Sequence, residues 1–114
     1  MDKLARQVLL YDFYGELLTV HQRTIYEDVI MNDYSLSEVA QDQGISRQGV
    51  HDLVKRSTKT LEGYESKLHL VERFVAIRDT VHEIHNLTEN ISEENLEVVM
   101  KKINSLSNQI LEEL

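Results

Sequence analysis

A chain of 114 residues with 41% hydrophobic content is long enough for one domain, or one small domain with an appendage, and apolar enough to fill its core. The absence of cysteine excludes a disulfide framework, a thiol nucleophile and the common zinc-finger spacings. A net charge of −8 weighs against nonspecific attraction to phosphate and makes the distribution of charge the question.

No proline, four glycines and no sustained two-residue alternation leave little room for a sheet, so the expected class is all-α. Met1-Asp2-Lys3 is followed by no long apolar run. Neither a signal peptide nor a membrane span is expected, and a soluble cytoplasmic protein is the default.

The first helix is expected over Leu4 to Tyr14, with Leu4, Val8, Tyr11, Leu10 and Phe13 on its apolar side and its end near Gly15. Thr19 then opens T-x-x-Q with Gln22, a capping box, for a helix carrying Ile25, Tyr26, Val29 and Ile30 up to the turn-like Asn32-Asp33. Tyr11, Tyr14, Tyr26 and Tyr34 have rings that stack on bases in some proteins. A half-buried ring with its hydroxyl in water is the commoner role.

Residues 35 to 59 form the centre of the chain, with two helix starts eleven residues apart. Ser35 begins S-x-x-E with Glu38, and Tyr34 with Val39 supplies a hydrophobic staple. Ser46 repeats the cap without the glutamate, flanked by Ile45 and Val50, so the second helix should begin at Arg47. Gly44 between them allows the positive φ that a tight helix-helix turn needs. With Val39, Ala40, Ile45, Val50 and Leu53 inward, the pattern is a helix-turn-helix; an ordinary helical hairpin in a bundle is the alternative. Ser46, Arg47, Gln48, His51, Asp52 and Lys55 then point outward, mostly near the end of the second helix that enters a major groove.

Charge is unevenly placed. Residues 1–70 hold eight Lys and Arg against eleven Asp and Glu, and residues 71–114 hold four against nine. Between Ser46 and Lys59, however, Arg47, Lys55, Arg56 and Lys59 face a single Asp52. A basic face on an acidic body binds DNA while its body repels phosphate at longer range.

The run L-L-T-x-x-Q-R, followed by S-L-S-E-V-A and G-I-S-R-Q-G-V, resembles the helix-turn-helix of bacterial sigma-factor region 4. Together with LLYDFYGELLT and LEGYESKLHLVERF it is most similar to the small YlxM-like family, over about residues 8–78. That resemblance implies a bacterial cytoplasmic DNA-binding protein associated with the signal recognition particle pathway. No core-polymerase-binding region precedes the motif, so a complete sigma factor is not expected. Gly49 stands where such motifs commonly carry alanine.

After the motif, Val50, Val54, Leu61, Tyr64 and Leu68 continue the second helix, with Ser57 filling the gap. Leu70, Phe74, Ile77, Val81 and Ile84 carry the same rhythm in a register slipped by one, so a break is expected around Leu68, His69 and Leu70. Asn86 to Asn90 should end that helix. Ser92 should cap the last one, which carries Leu96, Val99, Ile103, Leu106 and Ile110, with Ile91 and Leu96 as a staple.

The expected organisation is a helix-turn-helix domain over residues 1–69 and a C-terminal helical hairpin over 70–114. Two helices bury only part of an apolar face. Either the N-terminal helices cover the rest or a second subunit does, and a homodimer would give two reading helices for a two-fold DNA site.

Catalysis has little support: no nucleophile is paired with a base, and no cofactor or phosphate loop is marked. His82 and His85 lie three apart, one residue short of the metalloprotease H-E-x-x-H, and fit a surface pair better than a metal site. Two functions remain. In one, Arg47 and Gln48 read base edges of double-stranded DNA while Ser46, Lys55, Arg56 and Lys59 position phosphates and His51 completes the contact surface. In the other, the chain is an adaptor for signal recognition particle RNA or protein, working through its acidic hairpin.

Overall fold

Four helices begin at an oxygen-bearing side chain, and these caps set where the chain turns. The structure, a computed structural model, describes residues 1–114. Asp2 accepts the amide of Ala5 at 2.7 Å and starts α1, Lys3–Tyr14. A single 3-10 turn, Gly15–Leu17, leads to Thr19. There the Gln22 amide donates to Thr19 Oγ1 at 3.2 Å and the Thr19 amide to Gln22 Oε1 at 3.0 Å, the reciprocal box expected, opening α2, Val20–Tyr26. The Ser35 and Glu38 box opens α3, Leu36–Gln43, and Ser46 Oγ takes the Gly49 amide at 2.9 Å to open α4, Arg47–Leu68. α5, Leu70–Glu89, and α6, Leu96–Glu113, complete an all-α chain with no strand.

Two stops are backbone events. Gly44 ends α3 at φ +67°, where a side chain is disfavoured, and lets the Ile45 amide reach back to the Ala40 carbonyl at 3.1 Å. His69 breaks the long stripe where the register slips: at φ +57° it ends α4, its amide donating to the Glu65 carbonyl at 2.9 Å. Between α2 and α3 the chain widens into a π turn over Glu27–Met31 and leaves it through Asp33 at φ +57°.

The chain divides into two compact units, Met1–Val71 and Glu72–Leu114. In the first, α4 is the spine, and Leu10, Tyr14, Ile25, Tyr26, Val39, Val50, Leu61 and Val71 form the most deeply buried part of its core. Three pairs tie α1 to α4: Arg6 with Glu62 at 2.5 and 2.7 Å, Gln7 Nε2 with Thr58 Oγ1 at 3.3 Å, and Tyr14 OH with Glu65 Oε1 at 2.6 Å. From Gln7 with Thr58 to Tyr14 with Glu65 both residue numbers rise by seven, so α1 runs alongside α4 in the same direction.

Several expectations are corrected here. The buried line of α1 is Gln7, Leu10 and Tyr14, while Leu4 and Phe13 are exposed, because Gln7 and Tyr14 have polar partners on α4 that hydrophobicity does not reveal. Ile45 is 36% exposed rather than part of the small core; it lies over the start of α4, within 3.8 Å of where a Gly49 β-carbon would be. Leu68 is exposed and Glu65, one turn earlier, is buried in its place. Tyr14 and Tyr26 are fully buried, and Tyr11 stacks on Tyr26 with ring centroids 5.5 Å apart. Gly15 makes room for that stack, since a β-carbon there would stand 2.7 Å from the Tyr11 ring.

In the second unit α5 ends at Glu89, and the turn before α6 differs from the expected Ser92 cap. Asn95 Oδ1 takes the Ser92 amide at 2.7 Å, and Asn95 Nδ2 donates to the Asn90 carbonyl at 2.8 Å. These bonds close the turn on the side chain of Asn95, so α6 starts at Leu96. Val99 is buried, and Ile103, Leu106 and Ile110 are half-buried along the same stripe. His85 pairs with Glu89 at 3.1 Å, and both are exposed.

Candidate nucleic-acid interface

α4 has two faces that follow from its 3.6-residue turn. Val50, Leu53, Val54, Ser57 and Leu61 are buried on one, and Ser46, Arg47, Gln48, His51, Asp52, Lys55, Arg56 and Lys59 are exposed on the other. All seven residues expected at a DNA surface therefore share the solvent side of one element and its cap. Gln48, Asp52, Lys55 and Lys59, spaced four, three and four apart, form the outermost line. Arg47 and His51 lie on the flank toward α1, and Arg56 on the flank away from it.

The cap determines how the first turn is presented. Because Ser46 Oγ is engaged with the Gly49 amide, it is committed to holding the helix start and is less available to a phosphate. Arg47 and Gln48 are the first two helical residues. Lys55 is eight residues beyond Arg47, about 12 Å along the axis at 1.5 Å per residue.

An acid lies at the centre of this basic face. Gln48 Nε2 donates to Asp52 Oδ1 at 2.9 Å, and His51 Nδ1 lies 3.6 Å from the same oxygen. The carboxamide must exchange that partner before it can pair with a base. The spacing of four between Gln48 and Asp52 is the available sequence signal.

The structure adds a participant that sequence reasoning missed. Lys3, from the start of α1, lines a surface depression with Gln7, His51, Val54, Lys55 and Thr58. A second depression follows α4 itself past Gly49, Asp52, Lys55, Arg56 and Lys59. Lys55 belongs to both, so the basic surface extends to either side of the helix crest.

A three-helix packing of α2, α3 and α4 with a glycine turn, a capped second helix and an exposed basic face on it defines the class: a helix-turn-helix protein. The family model UPF0122, described as "Putative helix-turn-helix protein, YlxM / p13 like", matches residues 1–113, and the chain belongs to that family. The UPF0122 protein of Thermoanaerobacter pseudethanolicus is 42% identical over 112 residues, covering 97% of this chain and 96% of that one. That of Acetivibrio thermocellus is 40% identical over 114 residues, covering 100% and 97%. The UPF0122 protein YofM of Lactococcus lactis is 42% identical over 84 residues, covering 74% and 76%. No helix is long and apolar enough to cross a membrane.

Proposed function

We propose that the chain is a non-enzymatic cytoplasmic regulator that binds double-stranded DNA through the exposed face of α4. The observation that carries this is the one-sided placement of Arg47, Gln48, His51, Lys55, Arg56 and Lys59 on a single capped helix whose other face is core. Arg47 and Gln48 reach base edges, where guanidinium pairs with guanine and carboxamide with adenine; Lys55, Arg56 and Lys59 take phosphates. Arg47→Ala should cost about 1–3 kcal/mol on a cognate site and relax its sequence preference, whereas Lys55→Ala should weaken all duplexes alike and reduce the salt slope by about one for each bound copy of the chain. Asp52→Asn should strengthen binding to random duplex, because one repulsive charge leaves the face. Selection from random DNA followed by titration tests all three. No enriched sequence, together with an Arg47→Ala variant that binds every duplex as the parent does, would refute the reading.

The protein acts as a homodimer in this proposal, and α6 supplies the surface. Beside its buried stripe runs a second line, Leu96, Met100, Leu111 and Leu114, all exposed, with Asn104 and Ser107 between the two apolar pairs. The line is self-complementary about a two-fold axis near Ser105: in an antiparallel pair, Met100 meets the partner's Leu111, Asn104 meets the partner's Ser107, and Lys101 lies beside the partner's Glu112.

A second reading is favoured by one observation, the excess of nine Asp and Glu over four Lys and Arg in residues 71–114. In it the chain is an adaptor for RNA or protein of the signal recognition particle, and the acidic hairpin is the working surface. Binding of that RNA or protein, with none to duplex at low salt, would select it.

A further inference from the structure

A recognition helix with its side chains is about 10–12 Å across and the major groove about 12 Å wide, so one sugar-phosphate strand runs along each side of a helix seated there. α4 has a different surface on each side of its crest. Away from α1, Arg56 on the flank and Lys59 on the crest line a depression that Asp52 and Lys55 share. Toward α1, the hollow between the helices holds Lys3, His51 and Lys55 with the polar Gln7 and Thr58, and no carboxylate lines it. Its floor is pre-ordered. Thr58 Oγ1 donates to the Val54 carbonyl at 3.0 Å and accepts from Gln7 Nε2 at 3.3 Å, with Tyr26 OH at 3.1 Å behind it. Lys3 reaches this place because α1 runs parallel to α4 and is anchored along it by Arg6 with Glu62 and by Tyr14 with Glu65.

We infer that the hollow between the start of α1 and α4 holds a backbone phosphodiester of duplex DNA, with Lys3 as its principal cation, on the strand opposite to the one that Arg56 and Lys59 contact. Lys3 is thus a positioning residue: it carries no base preference and fixes the depth and roll of α4 in the groove. A single phosphate contact corresponds to about 0.9 in the slope of log K against log salt. This rests on the DNA-binding reading, and the experiment separates the two.

Binding of one duplex, carrying a single half-site of a sequence selected from random DNA so that one copy of α4 is engaged, is measured between 50 and 200 mM salt for the full-length protein and for Lys3→Ala, Lys3→Arg and Lys59→Ala, with circular dichroism confirming the fold of each. Lys3→Ala should lower the slope by about 0.9, so that the parent's advantage over it shrinks about 3.5-fold across that salt range, and Lys3→Arg should restore it. Sequence preference should not change. The same duplex with neutral methylphosphonates on one strand at a time should abolish the effect of Lys3→Ala on one strand and that of Lys59→Ala on the other. A parent that binds duplex while Lys3→Ala leaves the slope unaltered overturns the Lys3 site alone. Loss of both effects on the same strand overturns the opposite-strand assignment. A parent that binds no duplex at 50 mM salt overturns this inference together with the DNA reading on which it rests.

Discussion

Gly49 occupies the third helical position of α4, and a methyl group there would stand 3.1 Å from Ser46 Oγ, the atom that caps the helix. Two effects of similar size oppose each other. Alanine for glycine in a helix gains about 1 kcal/mol, while disturbing a serine cap costs about the same. Gly49→Ala should therefore stabilise by well under that full amount, and the gain should approach it in a Ser46→Gly background, where the crowded hydroxyl is gone. Urea unfolding of the four proteins decides; equal gains in both backgrounds would mean that the hydroxyl moves aside freely. The tyrosines give a second test. Burial, reinforced by acceptance at Glu27 and Glu65, raises the phenols of Tyr11 and Tyr14, and burial raises Tyr26 despite Thr58. A folded-state value above the unfolded one means that these groups contribute stability below the ordinary phenol value of about 10, and that it is lost as pH climbs through their raised values. Thermal midpoints should fall above that pH, with Tyr14→Phe showing a shallower fall. Tyrosinate absorbance that appears at the ordinary value while the fold persists would contradict this.

The junction of α4 and α5 is held by one side chain from α1 and one from α4. Leu70 presents its amide to Tyr14 OH at 3.2 Å, Val71 presents its own to Glu65 Oε1 at 2.9 Å, and the Tyr14 hydroxyl donates to that same oxygen. Glu65 is 6% exposed, and a carboxylate that deep in a core is tolerated because it is hydrogen-bonded. Together these groups satisfy the first two amides of α5, the service a local cap gives elsewhere in the chain. Tyr14→Phe leaves Leu70 without its acceptor and Glu65 with one donor fewer, and should cost about 1–3 kcal/mol. Glu65→Gln should cost a similar amount, and the double variant should cost clearly less than the two together, because they share one network. Strict additivity in chemical denaturation would show that the two side chains act independently. Ser57 is the opposite case: fully buried with an unpartnered Oγ, it should be replaceable by alanine at no loss, or with a small gain.

For the molecule as a whole, the proposed dimer makes a prediction that needs no DNA. Met100→Lys with Leu111→Lys places charge at both ends of each antiparallel α6 pair while leaving the buried stripe of α6 intact. Light scattering at micromolar concentration should show the full-length protein at twice the chain mass and the double variant at the chain mass, with unchanged helicity. A two-fold operator requires two copies of α4, so the variant should also bind a selected palindromic site more weakly and a half-site as well as the parent does. A parent that is monomeric at that concentration removes the dimer and with it the two-fold site, and leaves single-copy reading by α4 standing.

What this sequence determined by itself is the part built from neighbours along the chain. The boxes at Thr19 and Ser35 and the cap at Ser46 were legible because a cap bonds an amide two or three positions away, the left-handed Gly44 because glycine alone takes positive φ freely, and the break at His69 because the apolar register slips there. The exposed line from Arg47 to Lys59 followed from the 3.6-residue turn once the start of α4 was known. The limit of such reasoning shows at Ser92, where a plausible cap lost to the side chain of Asn95 only three residues on. Tertiary structure decided the rest. Gln7 and Tyr14 face inward because Thr58 and Glu65, fifty-one residues on, offer them partners. A buried glutamate caps α5 because two other elements converge on it. Lys3 joins the basic face because α1 runs parallel to α4, an arrangement set by hydrogen bonds between residues far apart in the chain, on which local periodicity is silent.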